Sequence, residues 1–340
     1  MLRTSMAERR THGSGRYVLG VAVALVLLGI AVVLSLGVGS KPLDSGQIVD
    51  SIMGVGDDYV DAVLASRVPR TVLGVIVGAA LAVAGGVMQG VTRNPLADPG
   101  LFGINVGAAA AIVTGTAFFG AVASGSVWLA LIGAVIAVVI VYALGSSRGQ
   151  AGTTRIVLAG AVVTAVFSAY VQAISLSFPD VFDAYRFWVV GSLAGRGIEQ
   201  AWVILPFVAV GLVLALAIAP GLNTLALGDD VATALGQRPI VVRLLSGAAV
   251  AVLAGAATAG VGPVLFVGLA VPHIARSISG PDHRRLLPLC IALGPVLLLL
   301  SDVLGRVIAR PDELMVGVMT AFVGAPALFI ALRRLKGERR

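Results

Sequence analysis

The stretch "RVPRTVLGVIVGAALAVAGGVMQGVTRNPLADPGLFGINVGAA", residues 67–109, decides the fold. It opens on two basic residues, Arg67 and Arg70, and runs apolar over 68–90. Between Gln89 and Asn105 it breaks, with Arg93 and two Xaa-Pro steps, Asn94-Pro95 and Asp98-Pro99. It then turns apolar again over 99–119. Apolar runs of about 20 residues are the length that crosses a bilayer as a helix. A residue before proline disfavours the helical region, so Asn94 marks a break. Asp98-Pro99 reads as a helix cap followed by proline at the first helical position. The stretch is therefore a spanning helix, a tight polar reversal and the start of a second span.

The same reading extends along the chain. Of its 340 residues 58% are hydrophobic and only 12% charged, against about 25% charged in soluble domains. Charge-poor runs fall at 17–37, 68–90, 99–119, 124–145, 153–175, 199–219, 240–260, 262–279, 285–306 and 313–333. These predict about ten transmembrane helices and an all-α polytopic membrane protein. Barrel strands would be about ten residues of alternating pattern, whereas these runs are continuous. The chain divides into a tail at 1–16, a transmembrane domain at 17–334 and a second tail at 335–340. The basic start and the apolar run from Val18 to Leu36 resemble a signal peptide, but the run is long and no small-x-small cleavage site follows. It is expected to stay as the first span.

A net charge of +7 would suggest nucleic acid in a soluble protein. Here the position of the charges is more telling, because cytoplasmic loops collect Lys and Arg. With ten spans and the N-terminus inside, 17 of the 24 basic residues lie inside. The first outside loop is acidic, with Asp44, Asp50, Asp57, Asp58 and Asp61. Both termini are thus expected in the cytoplasm, with no nucleic-acid partner.

In the second span Gly74, Gly78, Ala82 and Gly86 form a stripe of small residues that lets another helix approach closely. The neighbour is either within the chain or in a second copy. Segment 220–239, "PGLNTLALGDDVATALGQRP", is too polar to span. It reads as two short cytoplasmic helices broken at Gly228, with Asp229 as a cap and Gly236 as a terminator. A passive connector would need only a few residues, so the segment suggests a surface for another protein.

Motifs for chemistry are absent from the sequence. There is no GxxxxGK[ST] phosphate loop, so ATP hydrolysis is not expected of this chain. His273 and His283 have no ligands at metal spacing. His273 reads as a buried polar contact, Asp282-His283-Arg284 as a helix start, and the lone Cys290 as packing. No catalytic residues, metal or cofactor are assigned.

Three segments in order, 67–109, "GPVLFVGLAVPHIARSISGPDHRRLLP" at 262–288 and "SDVLGRVIARPDELMVGVMTAFVGAPALFIALRR" at 301–334, resemble the signature of the FecCD permeases. These are the membrane subunits of bacterial ABC importers for iron–siderophore complexes, haem and vitamin B12. The resemblance implies a BtuC-like type II importer fold in the bacterial cytoplasmic membrane. It implies two ABC ATPase subunits, an extracytoplasmic binding protein and a second permease subunit, identical or a sister. By the same resemblance, Arg67, Arg70 and Arg306 dock the binding protein, unless they pair within the chain with Asp302 or Asp312. Leu225, Ala226, Leu227, Gly228, Asp229, Ala232, Leu235 and Gly236 correspond to the ATPase-coupling segment. Thr153 and Thr154 stand at the cytoplasmic gate, and Tyr170, Gln172, Ser175 and Ser177 are the polar positions inspected as pathway lining. The cargo implied is an iron–siderophore chelate, with haem or cobalamin as the alternative. A secondary transporter would place ionisable residues in mid-membrane, and only Asp302, close to a span end, approaches that.

Overall fold

A computed structural model describes residues 2–39, 43–55, 57–120, 127–145 and 153–337. Among these, every regular element is a helix. In chain order they are α1 (Leu2–Gly37), α2 (Ser45–Ile52), α3 (Asp58–Thr92), a 3-10 turn (Pro99–Phe102), α4 (Ile104–Phe119), α5 (Val127–Gly145) and α6 (Thr153–Ser177). There follow α7 (Pro179–Trp188), α8 (Ile198–Leu225), α9 (Asp229–Ala234), α10 (Pro239–Val261), α11 (Val267–Ser279), α12 (His283–Ile308) and α13 (Val316–Gly337). A helix stands within each of the ten expected spans, and among the described residues seven helices are long and apolar enough to cross a membrane by length and composition. Helices α4 and the apolar part of α13 are shorter.

Helix α3 is the central pole, packed by α12, α10, α8 and α11. Small residues make this possible. A Cβ on Gly78 would lie 2.7 Å from the backbone of Pro295, and one on Gly86 would lie 3.0 Å from the Leu287 side chain. The stripe read in the second span therefore serves packing within the chain, chiefly against α12.

Helix α11 has 13 residues, about 20 Å at 1.5 Å per residue, less than the roughly 30 Å apolar core of a bilayer. The backbone before it, from Gly262 to Phe266, is not helical. Such backbone is tolerated in a membrane protein where other protein covers it. Here Ser192 N–H donates to the Val261 carbonyl at 2.8 Å, and Gly317 N–H to the Gly191 carbonyl at 3.2 Å. A Cβ on Gly262 would lie 3.1 Å from the Gly191 Cα, and one on Gly317 would lie 3.2 Å from the Pro263 oxygen. Three chain segments thus cross on bare backbone.

Two local readings are corrected. Helix α8 runs through Pro220 to Leu225, so segment 220–239 contains one short helix, α9, where two were expected. Leu222 and Leu225 are fully buried, and that burial overrides the proline. Residue 228, a glycine at φ 113°, caps α9, and the Asp229 side chain makes no cap.

Candidate functional site

The two ends of the bundle carry the charged residues. At one end, α3 brings Arg67 and Arg70 beside Asp302 and Arg306 of α12. Asp302 is fully buried, and Arg67, Arg70 and Arg306 are only 7%, 8% and 1% exposed. Arg70 Nε donates to Asp302 Oδ1 and Oδ2 at 3.1 and 2.9 Å, and its Nη2 to Oδ1 at 2.7 Å. Its Nη1 donates to Glu313 Oε2 at 2.6 Å. Arg306 Nη2 lies 3.0 Å from Asp302 Oδ2, and its Nη1 donates to the Ser35 carbonyl at 2.9 Å. Arg67 Nη1 donates to the Leu36 and Gly37 carbonyls at 2.7 and 3.1 Å.

The three arginines expected to dock a partner are thus engaged inside the chain. A buried carboxylate requires such partners, because desolvating it alone costs several kcal/mol. The pairing partner expected for Arg70 is present in Asp302, while Glu313, where Asp312 had been offered, supplies its second carboxylate. Between them lies a cavity of about 170 Å³, lined by Val63, Ser66, Arg67, Arg70, Ala194, Gly195, Arg306 and Glu313. Three guanidiniums against Asp302 and Glu313 leave one positive charge in excess.

At the other end, the reversal after α3 forms as its residues dictate. Arg93 closes α3 in the left-handed conformation at φ 51°. Asp98 accepts from the Gly100 N–H at 2.8 Å and caps the 3-10 turn, with Pro99 at its first position. Burial raises the Asp98 carboxyl above the usual range, and the Gly100 N–H partly opposes this. Asp282 caps α12 through the Arg284 N–H at 2.9 Å and accepts from Asn223 Nδ2 at 2.5 Å, tying α8 to α12.

Helix α9 sits beside this reversal. Asp229 Oδ1 accepts from Arg93 Nη2 at 2.5 Å, and Arg243 Nη2 of α10 reaches Oδ1 and Oδ2 at 2.9 and 2.7 Å. Burial works against the charged form of Asp229, but the bonds from Arg243 and Arg93 outweigh it and hold the carboxyl below the usual carboxylate range. Gly236, at φ 80°, terminates α9 as expected, and Gln237 N–H returns to the Ala232 carbonyl at 2.9 Å.

Of the eight residues expected to couple to an ATPase, Leu225 and Ala232 are fully buried, so their side chains offer nothing to a partner. Ala226, Leu227, Leu235 and Gly236 are exposed, and Gly228 and Asp229 half-buried. Val231, not among the eight, is also exposed. With Leu227 and Leu235 it forms an apolar row at four-residue spacing, 63%, 43% and 59% exposed. That spacing was in the sequence, masked by the acidic pair Asp229 and Asp230.

Helix α6 carries the pathway candidates. Tyr170 is exposed, its hydroxyl 2.8 Å from Thr114 Oγ1 of α4. Gln172 and Ser177 are exposed, and Ser177 Oγ donates to the Ala173 carbonyl at 2.8 Å. Ser175 is buried. At about 100° per residue, Tyr170 and Ser177 share a face, while Gln172 and Ser175 point elsewhere. One lining face cannot hold all four. Thr153 and Thr154 begin α6, and their side chains lie outside the described residues. His273 and Cys290 are buried, and His283 Nδ1 lies 2.9 Å from Asn223 Oδ1.

Comparison with known proteins gives a consistent picture. The profile of the FecCD transport family matches residues 27–334. The chain is 45% identical over 313 residues to the ferric enterobactin transport system permease protein FepD of Escherichia coli K12, covering 91% of this chain and 93% of that one. It is 40% identical over 272 residues to the probable siderophore transport system permease protein YfiZ of Bacillus subtilis 168, covering 79% and 81%. A solved structure described as an inward-facing metal-chelate type ABC transporter superposes with a TM-score of 0.81 at 27% identity, covering 92% of this chain and 98% of that one.

Proposed function

The chain belongs to the FecCD transport family, and on that basis we propose that it is the permease subunit of a bacterial importer for an iron–siderophore or related ferric chelate. ABC permeases of this family work with separate ATPase subunits and a binding protein. The observation that carries the reading is the exposed row Leu227, Val231 and Leu235 on a segment too polar to span. Apolar side chains outside the bilayer call for a protein cover, and an ATPase groove provides one.

The α9 end then faces the cytoplasm, with both termini, and the arginine end faces outward. ATP binding closes two ATPase subunits, which shift α9. The bundle and its second permease copy rock, and a path beside α6 opens to the other side. Thr153 and Thr154 stand at its inner mouth, and Tyr170 and Ser177 face it. The binding protein docks over the arginine cavity, where the excess positive charge draws an acidic partner into register. Arg67 and Arg70 reach that partner through the cavity while keeping their internal bonds, and Arg306, 1% exposed, braces Asp302 behind them. The names of the relatives, ferric enterobactin and siderophore, make a ferric chelate the cargo.

The test is uptake of radiolabelled ferric enterobactin, ferric citrate and a ferric hydroxamate by proteoliposomes holding permease, ATPase and binding protein. Uptake of one of them that requires ATP is expected. Failure with all three, or uptake without the ATPase, would overturn the reading.

A further inference from the structure

We propose that Asp229 is a positioning residue that clasps α9 to the inner ends of α3 and α10, so that movement imposed on α9 reaches the bundle. The proposal rests on the reading of α9 as the ATPase contact and adds how that contact is transmitted.

Helix α9 has six residues, too few to hold a conformation unaided. It is joined to the chain through Gly228 at φ 113° and Gly236 at φ 80°, two positions with wide backbone freedom. Its one buried apolar anchor is the small side chain of Ala232. A partner pushing on such an element would swing it on its glycines unless something ties it down.

Asp229 is that tie. A single carboxylate takes hydrogen bonds from Arg93, at the end of α3, and from Arg243, on α10. Hydrogen bonds between ionised groups are short and about twice as strong as neutral ones. Arg93 occupies a left-handed backbone position that costs a non-glycine residue free energy, and this places its side chain next to α9. Arg243 is held in turn, since its carbonyl accepts from Tyr142 of α5 at 3.1 Å. The clasp thus joins α9 to α3, α5 and α10. Helix α3 carries Arg67 and Arg70 at its other end, so it runs from the clasp to the outer cavity.

The exposure of the pair sharpens the test. Side chains of Asp229 and Arg93 are 44% and 40% exposed and that of Arg243 14%; exposed ion pairs contribute little to stability, and asparagine keeps an oxygen that accepts from the less exposed Arg243. Asp229→Asn should therefore fold. The readout is the stimulation of ATP hydrolysis by the binding protein in the reconstituted complex, taken as a ratio to the unstimulated rate. Loss of protein lowers both rates together and leaves the ratio unmoved, and loss of assembly is read separately as loss of ATPase co-purification. The ratio is expected to fall about fivefold or more in Asp229→Asn, the lower end of ordinary coupling between sites, and to recover in Asp229→Glu. Arg93→Gln and Arg243→Gln should each lower it as well. A smaller fall in Asp229→Asn overturns the clasp, as does an unsubstituted complex whose hydrolysis ignores the binding protein. A Leu235→Cys chain, cross-linked to the ATPase, separates the two claims. No cross-link overturns the contact and the clasp with it, whereas a cross-link with an unmoved ratio overturns the clasp alone.

Discussion

Arg70 and Asp302 meet side-on: Nε and Nη2 of one guanidinium span both carboxylate oxygens, at distances of 2.7 to 3.1 Å. They are 232 positions apart in the chain, and the contact pins α3 to α12 at the arginine end. Removing one partner of a buried pair strands the other charge, at a cost of about 3–5 kcal/mol. Asp302→Asn leaves both Arg70 and Arg306 short of a counter-charge. A lowered melting temperature in detergent, larger than for Glu313→Gln, is the expected result, because Glu313 is 32% exposed. Equal melting of the two variants would contradict this account.

Gly78 and Gly74 should respond differently to alanine. A Cβ on Gly78 meets the backbone of Pro295 at 2.7 Å and has nowhere to go. On Gly74 it meets the end of the Leu299 side chain at 2.5 Å, which can turn aside. Gly78→Ala is expected to separate α3 from α12 and cost at least the roughly 1–3 kcal/mol of ordinary overpacking, with Gly74→Ala milder. Monodispersity and thermal unfolding of the purified protein check the order.

Asp98 is both a cap and a partly buried acid. Asparagine caps as well as aspartate, whereas alanine loses about 1 kcal/mol. Burial raises the folded-state pKa of Asp98, so the folded chain holds the proton more tightly than the unfolded one. Stability therefore falls as pH rises from the ordinary aspartate value through the raised one, and the asparagine variant, which does not titrate, escapes that loss. Asp98→Asn should melt at or above the parent at neutral pH, and Asp98→Ala below it. Asp98→Asn melting several degrees lower would refute the burial argument.

The exposed apolar residues around α9 predict a surface effect. Leu227→Ser, Val231→Ser and Leu235→Ser together remove the apolar cover without touching the buried Leu225 or Ala232. The expected outcome is loss of ATPase co-purification with an unchanged melting temperature. Retained co-purification would place the contact elsewhere.

Acid should open the clasp late. Asp229 is held below its unfolded pKa by Arg243 and Arg93 against the effect of burial. Its contribution is complete above the unfolded aspartate value, about 3.9, and is lost as pH falls through the lower folded value. Stimulation by the binding protein should thus show no step assignable to Asp229 between pH 7 and about 5. A step there in the parent, absent in Asp229→Asn, would mean that the carboxyl titrates higher.

The helical plan was readable because a bilayer imposes one solution on long apolar runs. Caps at Asp98 and Asp282 were readable too, since they depend on residues two positions away. What escaped depended on distant partners. Nothing near Asp229 in the chain announces Arg93, 136 positions earlier, and its own neighbours suggest only a cap. Pro220 looked like a boundary because its neighbours Leu222 and Leu225 show their burial only once α10 and α3 are in place. The arginines are recognisable by motif, and Asp302 is legible as a partner four residues before Arg306, but the share of their burial that comes from Ser35 of α1 is not, because no local pattern links it to them.

The crossing of Gly191, Gly262 and Gly317 has an evolutionary corollary. Where main chain rests on main chain, there is no side chain for selection to adjust. Drift at any one of the three positions adds an atom that the other two strands of the knot must make room for at once. Such a place changes in concert or stays as it is, and a library randomised across all three sites should return glycine far more often than one randomised at Gly29, where a Cβ would meet nothing.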